Sequence, residues 1–395
     1  MQLFSLKEAA MPSFISNFKQ RLRLPRMFFR RPTREEQIHG GPPLEFERPI
    51  PPIQWRGITV VVVVVVLAAT ISWELYVRSI GYGPTLNDNE DLWTLRRRAV
   101  APESIVIIGD SRAWFDVDLD EMQTGLGKRP IQLAMPGACA FPVLDDLAKD
   151  ETFHGTIICS VVPRLFFAPP GTFPVDRSEK TVKRSHSQTP AQRASQYLAF
   201  PLEEHVAFLK QDDLTLDALL RALPIPNRPG AQVPPTFPPY FQTVDRERRA
   251  RMFSKCEDPN GELARRIQHI WPALFTPPPP SFIPLDVFMV EVKKAIEKRF
   301  RDVVADVEKI RARGGKIIFV RFPHSGGLKE IEDRDTPRAQ TWDPLVKATG
   351  APGIYYSDYP ELAGFQCPEW SHLTAGDSVE FTKRLVPHLR EALGK

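Results

Sequence analysis

A stretch of 17 residues without a charge, 57–73, with seven consecutive valines at 60–66, constrains this chain more than any other feature. A strand in a globular protein runs about 5 or 6 residues, whereas a helix needs about 17 to 25 apolar residues to cross a bilayer. The stretch therefore reads as a transmembrane helix over 57–77, with Trp55, Trp73 and Tyr76 placed where interfacial aromatic residues belong. It begins too far from the N-terminus, and has too poor a cleavage context, for an ordinary signal peptide. Residues 1–56 carry ten Lys or Arg against five Glu, an excess that favours a cytoplasmic N-terminus. The expectation is a single-pass protein of the inner (cytoplasmic) membrane whose larger part is periplasmic or extracellular. The tail 1–56 reads as disordered and as a topology signal, with attraction to anionic lipid headgroups as the sharper alternative.

After a stalk at 78–100, the rest of the chain forms one domain, 101–395, in which apolar runs alternate with amphipathic ones. Strands are expected at 104–108, 131–134, 155–162, 316–322 and 354–356, and helices at 119–126, 141–149, 285–313 and from 374 to about 389. This alternation indicates βαβ units, hence an α/β three-layer sandwich around a central parallel sheet of flavodoxin-like type. A hydrophobic share of 42% is ample for its core. Right-handed crossovers bring the carboxyl ends of the strands to one edge, where ligands gather in such sheets. The alternation stops at 163–284, where helical pieces at 202–223 and 258–270 are interrupted by proline-rich runs at 224–239 and 277–280. So long an interruption reads either as a cap that selects or shields a substrate, or as a structural insertion with no contact to it.

The first strand delivers Gly109, Asp110 and Ser111 into a tight turn, which is where a nucleophile has to sit. Gly109 provides the freedom to turn, and Asp110 is expected to hold the turn by accepting backbone N–H groups. The same tripeptide recurs at 376–378 with no apolar strand before it. There, Asp377 or Ser378 reads as a helix N-cap. Some 260 residues after Ser111, Glu369 and His372 stand just before the final helix and supply an orienting acid and a base. Asp358 and Asp377 are next in line for the acid. Arg112 contacts an anionic polymer or pairs with Asp116, and His324, after the strand at 316–322, either approaches the site or is a bystander. His154 and His388 read as surface residues.

Together these segments resemble the SGNH/GDSL hydrolase family, whose first block is a strand-borne Gly-Asp-Ser and whose last is Asp-x-x-His before the final helix. Glu369 stands where the family has Asp. The resemblance implies an SGNH-like domain with Ser111, His372 and Glu369 as catalytic triad and the backbone N–H groups of Ser111 and Gly137 as oxyanion hole. The Gly-x-Asn-Asp block expected after the third strand is missing, so Ser160 or Arg164 would assist the hole. A membrane tether carrying such a domain is similar to the cell-wall D-alanylation and alginate O-acetylation proteins. It implies an esterase or O-acyltransferase acting on an envelope glycan or glycolipid ester, without metal or organic cofactor, with a membrane-bound acyltransferase as a conceivable partner. Two rivals are a non-catalytic SGNH-like envelope protein that serves as a binding or assembly factor, and a lipid esterase facing the cytoplasm.

The formal net charge is only +4, and the basic cluster in the tail lacks the aromatic interleaving of a nucleic-acid platform, which argues against nucleic acid as a partner. The four cysteines, Cys139, Cys159, Cys256 and Cys367, have no metal-ligand spacing. Cys256 with Cys367 is the disulfide pair to test, since both are expected in loops. Cys139 and Cys159 lie in apolar runs, where free buried cysteine is the commoner state.

Overall fold

The computed structural model describes residues 53–221, 241–276 and 283–394. The tail up to residue 52 and the proline-rich runs 224–239 and 277–280 lie outside the described residues. The uncharged stretch folds as helix α1 (Trp55–Ser79), 25 residues whose most apolar 18-residue window has a mean hydropathy of 2.4 and no buried residue. At 1.5 Å per residue it is about 37 Å long, against a bilayer hydrocarbon core of about 30 Å. It is long and apolar enough to cross a membrane.

Residues 69–395 form one compact unit. Residues 78–100, expected as a stalk, are part of its core. Leu86 donates its N–H to Val244 O at 3.0 Å, and α2 (Glu90–Arg98) buries Leu92 and Trp93, whose indole Nε1 donates to Leu133 O at 2.9 Å. The apolar residues here are few, but Tyr82, Leu86, Leu92 and Trp93 are buried.

The β-branched residues of β1 (Ile105–Ile108) are buried on both faces, as a central parallel strand requires. After it come α3 (Ser111–Phe115), α4 (Leu119–Leu126), β2 (Ile131–Gln132), α5 (Phe141–Lys149) and β3 (Thr156–Ser160). The insertion then supplies α6 (Pro163–Phe166), α7 (Phe173–Ser187), α8 (Pro190–Glu203), α9 (Gln211–Leu214) and α10 (Leu216–Arg221). It continues with an antiparallel hairpin, β4 (Gln242–Val244) and β5 (Ala250–Met252), and with α11 (Glu262–Phe275). The alternation resumes with α12 (Leu285–Ala312), β6 (Lys316–Arg321), α13 (Gly326–Asp335), α14 (Trp342–Thr349), β7 (Gly353–Tyr355), α15 (Pro360–Ala363) and α16 (Ala375–Ala392).

Strand order is β2-β1-β3-β6-β7, all parallel, with Ile107 opposite Gln132 and Ile158, and Cys159 opposite Phe319. The chain is thus an α/β protein with a central five-strand parallel sheet. Helices α4 and α16 pack together as one layer, and α12 packs on α5 and α14 as the other. In this strand order the connections leave in opposite directions from β1 and β3, which opens a crevice at their carboxyl ends. Each fully buried Val, Ile, Leu or Phe side chain contributes roughly 1.5–3 kcal/mol to this core.

Three local expectations are corrected. The helix expected over 202–223 is three pieces, because α8 starts earlier at the Thr189 capping box, where Thr189 Oγ1 accepts Gln192 N–H, and ends at Glu203. The final helix is capped by Thr374, which accepts the Asp377 N–H at 2.9 Å, so Asp377 and Ser378 lie within its first turn. All four cysteines are buried thiols, so Cys256 and Cys367 are core residues and not a loop disulfide.

Candidate active site

Gly109 ends β1 with φ +139°, and a Cβ there would lie 2.5 Å from Ser160 Cβ, so only glycine allows β1 and β3 to approach this closely while the chain turns. Asp110 holds the turn as the α3 N-cap. Its Oδ1 accepts the Arg112 N–H at 2.9 Å and its Oδ2 accepts from Ser160 Oγ at 2.9 Å. Ser111 is thereby the first residue of α3, at the carboxyl end of β1 and at the crevice.

His372 arrives on the loop before α16. Trp370 has φ +82°, rare for a residue with a side chain, and this bend folds Glu369 back onto the residues that follow it. Ser325 N–H donates to Trp370 O at 2.9 Å, and Gly326 leaves room for the indole, since a Cβ there would lie 2.3 Å from Trp370 Nε1. Leu373 N–H donates to Asp116 Oδ1 at 2.9 Å, which ties the loop to the end of α3.

The result is a continuous chain of hydrogen bonds. His372 Nε2 lies 2.7 Å from Ser111 Oγ, and His372 Nδ1 lies 2.9 Å from Glu369 Oε1, which also accepts the His372 N–H at 2.5 Å. With Nδ1–H donating to the carboxylate, Nε2 is the acceptor for the serine hydroxyl. Glu369 is 0% and His372 1% exposed, while Ser111 is half-buried.

Two side chains of the insertion complete this arrangement. Trp271 Nε1 on α11 donates to Glu369 Oε2 at 2.9 Å and to Glu369 O at 2.5 Å. The rings of Phe115, Phe241 and Trp271 surround the imidazole at centroid distances of 4.5, 5.4 and 5.8 Å. The insertion therefore touches the site. Sequence reading passed over Trp271, Phe241 and Phe115, because nothing local marks a residue that meets His372 about a hundred or more positions away in the chain.

Gly137 reaches the same edge. Past β2, Leu133 N–H donates to Ile107 O at 2.8 Å and Met135 N–H to Gly109 O at 3.0 Å, which carries Gly137, at φ +63°, beside the turn that bears Ser111. Among the described residues, neither the Ser111 nor the Gly137 N–H donates a hydrogen bond.

Other candidates are placed elsewhere. Ser160 is buried and spends its hydroxyl on Asp110, so it offers nothing to an oxyanion. Arg112 faces inward, with its guanidinium bonded to Glu332 and, at 3.4 Å, to Ser371 Oγ. It is neither paired with Asp116 nor exposed to a polymer. His324 is a buried residue behind the site, with Nε2 3.2 Å from Arg321 Nη2. Burial, then the Arg321 charge, holds its pKa well below the usual histidine range. Burial raises the Glu332 carboxyl, but the Arg112 and Arg321 charges outweigh it and leave Glu332 well below the ordinary range. Asp116 goes the other way, pushed far up by burial against the Leu373 N–H and Arg112.

Arg164 is half-buried in α6, just past β3, and its guanidinium makes no hydrogen bond or ion pair among the described residues. Asp358 pairs with Arg338 at the surface, which removes it as an alternative acid. No group of three or more His, Cys, Asp or Glu among the described residues is placed to hold a metal ion.

Fold and site define a parallel-sheet α/β protein with a hydrogen-bonded Ser–His–Glu chain at the carboxyl edge of its first strand. Comparison with protein-family profiles, with curated proteins and with solved structures finds no match.

Proposed function

We propose that this chain is a serine esterase or O-acyltransferase of SGNH type, anchored in the cytoplasmic membrane by α1 and working outside it on an ester of an envelope glycan or glycolipid. The observation that carries the reading is the chain Ser111 Oγ to His372 Nε2 and His372 Nδ1 to Glu369 Oε1, with both distances in hydrogen-bond range. In this reading His372 takes the Ser111 proton as the oxygen attacks the ester carbonyl, then returns a proton to the leaving oxygen. Glu369 holds the Nδ1–H tautomer and stabilises the imidazolium. The Ser111 and Gly137 N–H groups receive the negative oxygen. Water or a sugar hydroxyl then takes the acyl group from Ser111, and a membrane-bound acyltransferase is a natural acyl source in the transfer version. Arg164, at the same sheet edge and without a hydrogen bond among the described residues, suits an anionic group of the substrate.

Losing an oxyanion donor costs about 10²–10³ in turnover, so the lack of an asparagine after β3 favours a slow enzyme over a fast one. The test is labelling of the full-length protein in detergent by a fluorophosphonate probe. Label in the parent that disappears in Ser111→Ala is the expected result. No label in a folded parent would turn the reading towards a non-catalytic binding or assembly factor.

A further inference from the structure

We propose that α8 and α10 lie in the bilayer interface and seat the domain against the lipid surface beside α1. This rests on the reading of α1 as a membrane span. The apolar stretch of α1 ends at the pair Trp73 and Tyr76, whose rings are 5.4 Å apart, where headgroups are expected. Glu74 and Arg78 share those turns, and what they bind stands at the same level. Glu74 accepts the N–H groups of Ala207 and Phe208 at 3.0 and 3.1 Å, and Arg78 Nη2 donates to His205 O at 2.9 Å. Val77, fully buried, packs with Tyr82 and Ala207. The segment held against the end of α1 is therefore the short connection between α8 and α9–α10.

The helices leaving this junction carry large apolar side chains on their exposed faces. On α8 the buried side chains are Gln196, Phe200 and Glu203, the last accepting the Asn87 N–H at 3.0 Å, while Leu198 is 71% and Leu202 56% exposed, one turn apart. On α10, Leu216 is 74% exposed, and Leu219 and Leu220 are exposed with it. Single exposed leucines are ordinary. Five exposed leucines on two short helices next to a membrane anchor have instead a partner that is not water. An interfacial helix buries its apolar face at the headgroup–acyl boundary. Arg78 pairs with Glu74 and Arg246 with Glu204, and the exposed leucines make the attraction apolar, so that it does not depend on anionic lipid.

The experiment places a nitrobenzoxadiazole probe on Leu202→Cys or Leu216→Cys in the full-length protein, reconstituted in phosphatidylcholine nanodiscs, with spin-labelled lipid as quencher. The exposed leucines carry no core packing, and the native cysteines are buried and protected from the label. Probes on Val64→Cys in α1 and Glu330→Cys on α13 serve as membrane and water references. The expected result is blue-shifted emission at 202 and 216, quenched about twofold or more and insensitive to raised salt. Water-like, unquenched emission at both positions, with the Val64 probe quenched, overturns the proposal and leaves the membrane span intact. Blue-shifted but unquenched emission also overturns it, since protein and not lipid then covers the face. An unquenched Val64 probe removes the span and the proposal together.

Discussion

Glu369 carries three demands at once, and they decide what its substitution does. Oε1 accepts both the N–H and the ring Nδ1–H of His372, and Oε2 accepts the Trp271 indole. In Glu369→Gln, one orientation of the amide aims its NH2 at the Trp271 N–H, and the other aims it at His372 and enforces the wrong tautomer. Turnover of a p-nitrophenyl ester is expected to fall by up to about 10⁴-fold. Glu369→Asp keeps the acceptors on a shorter arm and retains a measurable part. An unchanged rate in Glu369→Gln would leave a Ser111–His372 dyad. Ser111→Ala and His372→Ala should each abolish turnover with the melting temperature retained. Their double variant should be no worse than either, as groups that act as one unit are non-additive. His324 gives a different prediction, about stability. Its folded pKa is depressed by burial and Arg321, so as pH falls below about 6.5 the unfolded chain takes up a proton that the folded one refuses. The His324 contribution to stability is full above that pH and is lost towards pH 5, against an opposite contribution from Asp116, whose raised pKa favours the folded state as pH falls. His324→Gln should remove the loss, measured as a smaller shift in urea midpoint between pH 7 and pH 5. Glu332, also depressed, acts only below about pH 4.3, outside this window.

Elements with a strict apolar period were readable from sequence, and those shaped by distant packing were not. The helices expected at 119–126 and 141–149 have those bounds in the structure, and β1, β3 and β6 match within a residue or two, because each buries a continuous or regularly spaced apolar set. The stalk was misread because α2 has only Leu92, Trp93 and Leu95 among charged neighbours, enough to pack but not enough to stand out. The places of Ser111, His372 and Glu369 were legible in their strand and loop context, whereas the side chains that hold them were not. Arg112 has an acidic residue four positions on, yet meets Glu332 across the fold. Trp271 sits in an ordinary amphipathic helix that gives no sign of Glu369. That helix yields the prediction at this scale. Trp271→Phe keeps an aromatic ring beside His372 but leaves Glu369 Oε2 buried without its donor, which costs about 1–3 kcal/mol. Turnover should fall about tenfold, the factor that 1.4 kcal/mol represents, with KM unchanged. A loss confined to KM would instead make Trp271 a substrate wall.

At the scale of the molecule, compartment decides which substrates are within reach. Under the proposed orientation the thiols meet an oxidising environment, and all four are buried, with burial pushing Cys256 up to about 12 and Cys159 and Cys367 well above the usual thiol range. Such thiols are slow to form thiolate and to exchange. Unreduced protein unfolded in guanidinium should therefore titrate four thiols with a chromogenic disulfide, and a count of two would mean that a pair closes in the cell. Orientation is tested directly. The ten basic residues of 1–56 oppose translocation of the tail, while a long C-terminal domain crosses largely regardless of its charge. Alkaline phosphatase fused after Lys395 should be active, and a cytoplasm-only fluorescent reporter at the same place should be dark. The reverse pair of results would put Ser111 in the cytoplasm. The Ser–His–Glu chemistry would survive that outcome, but envelope glycans would be out of its reach, and its ester would have to come from the inner leaflet.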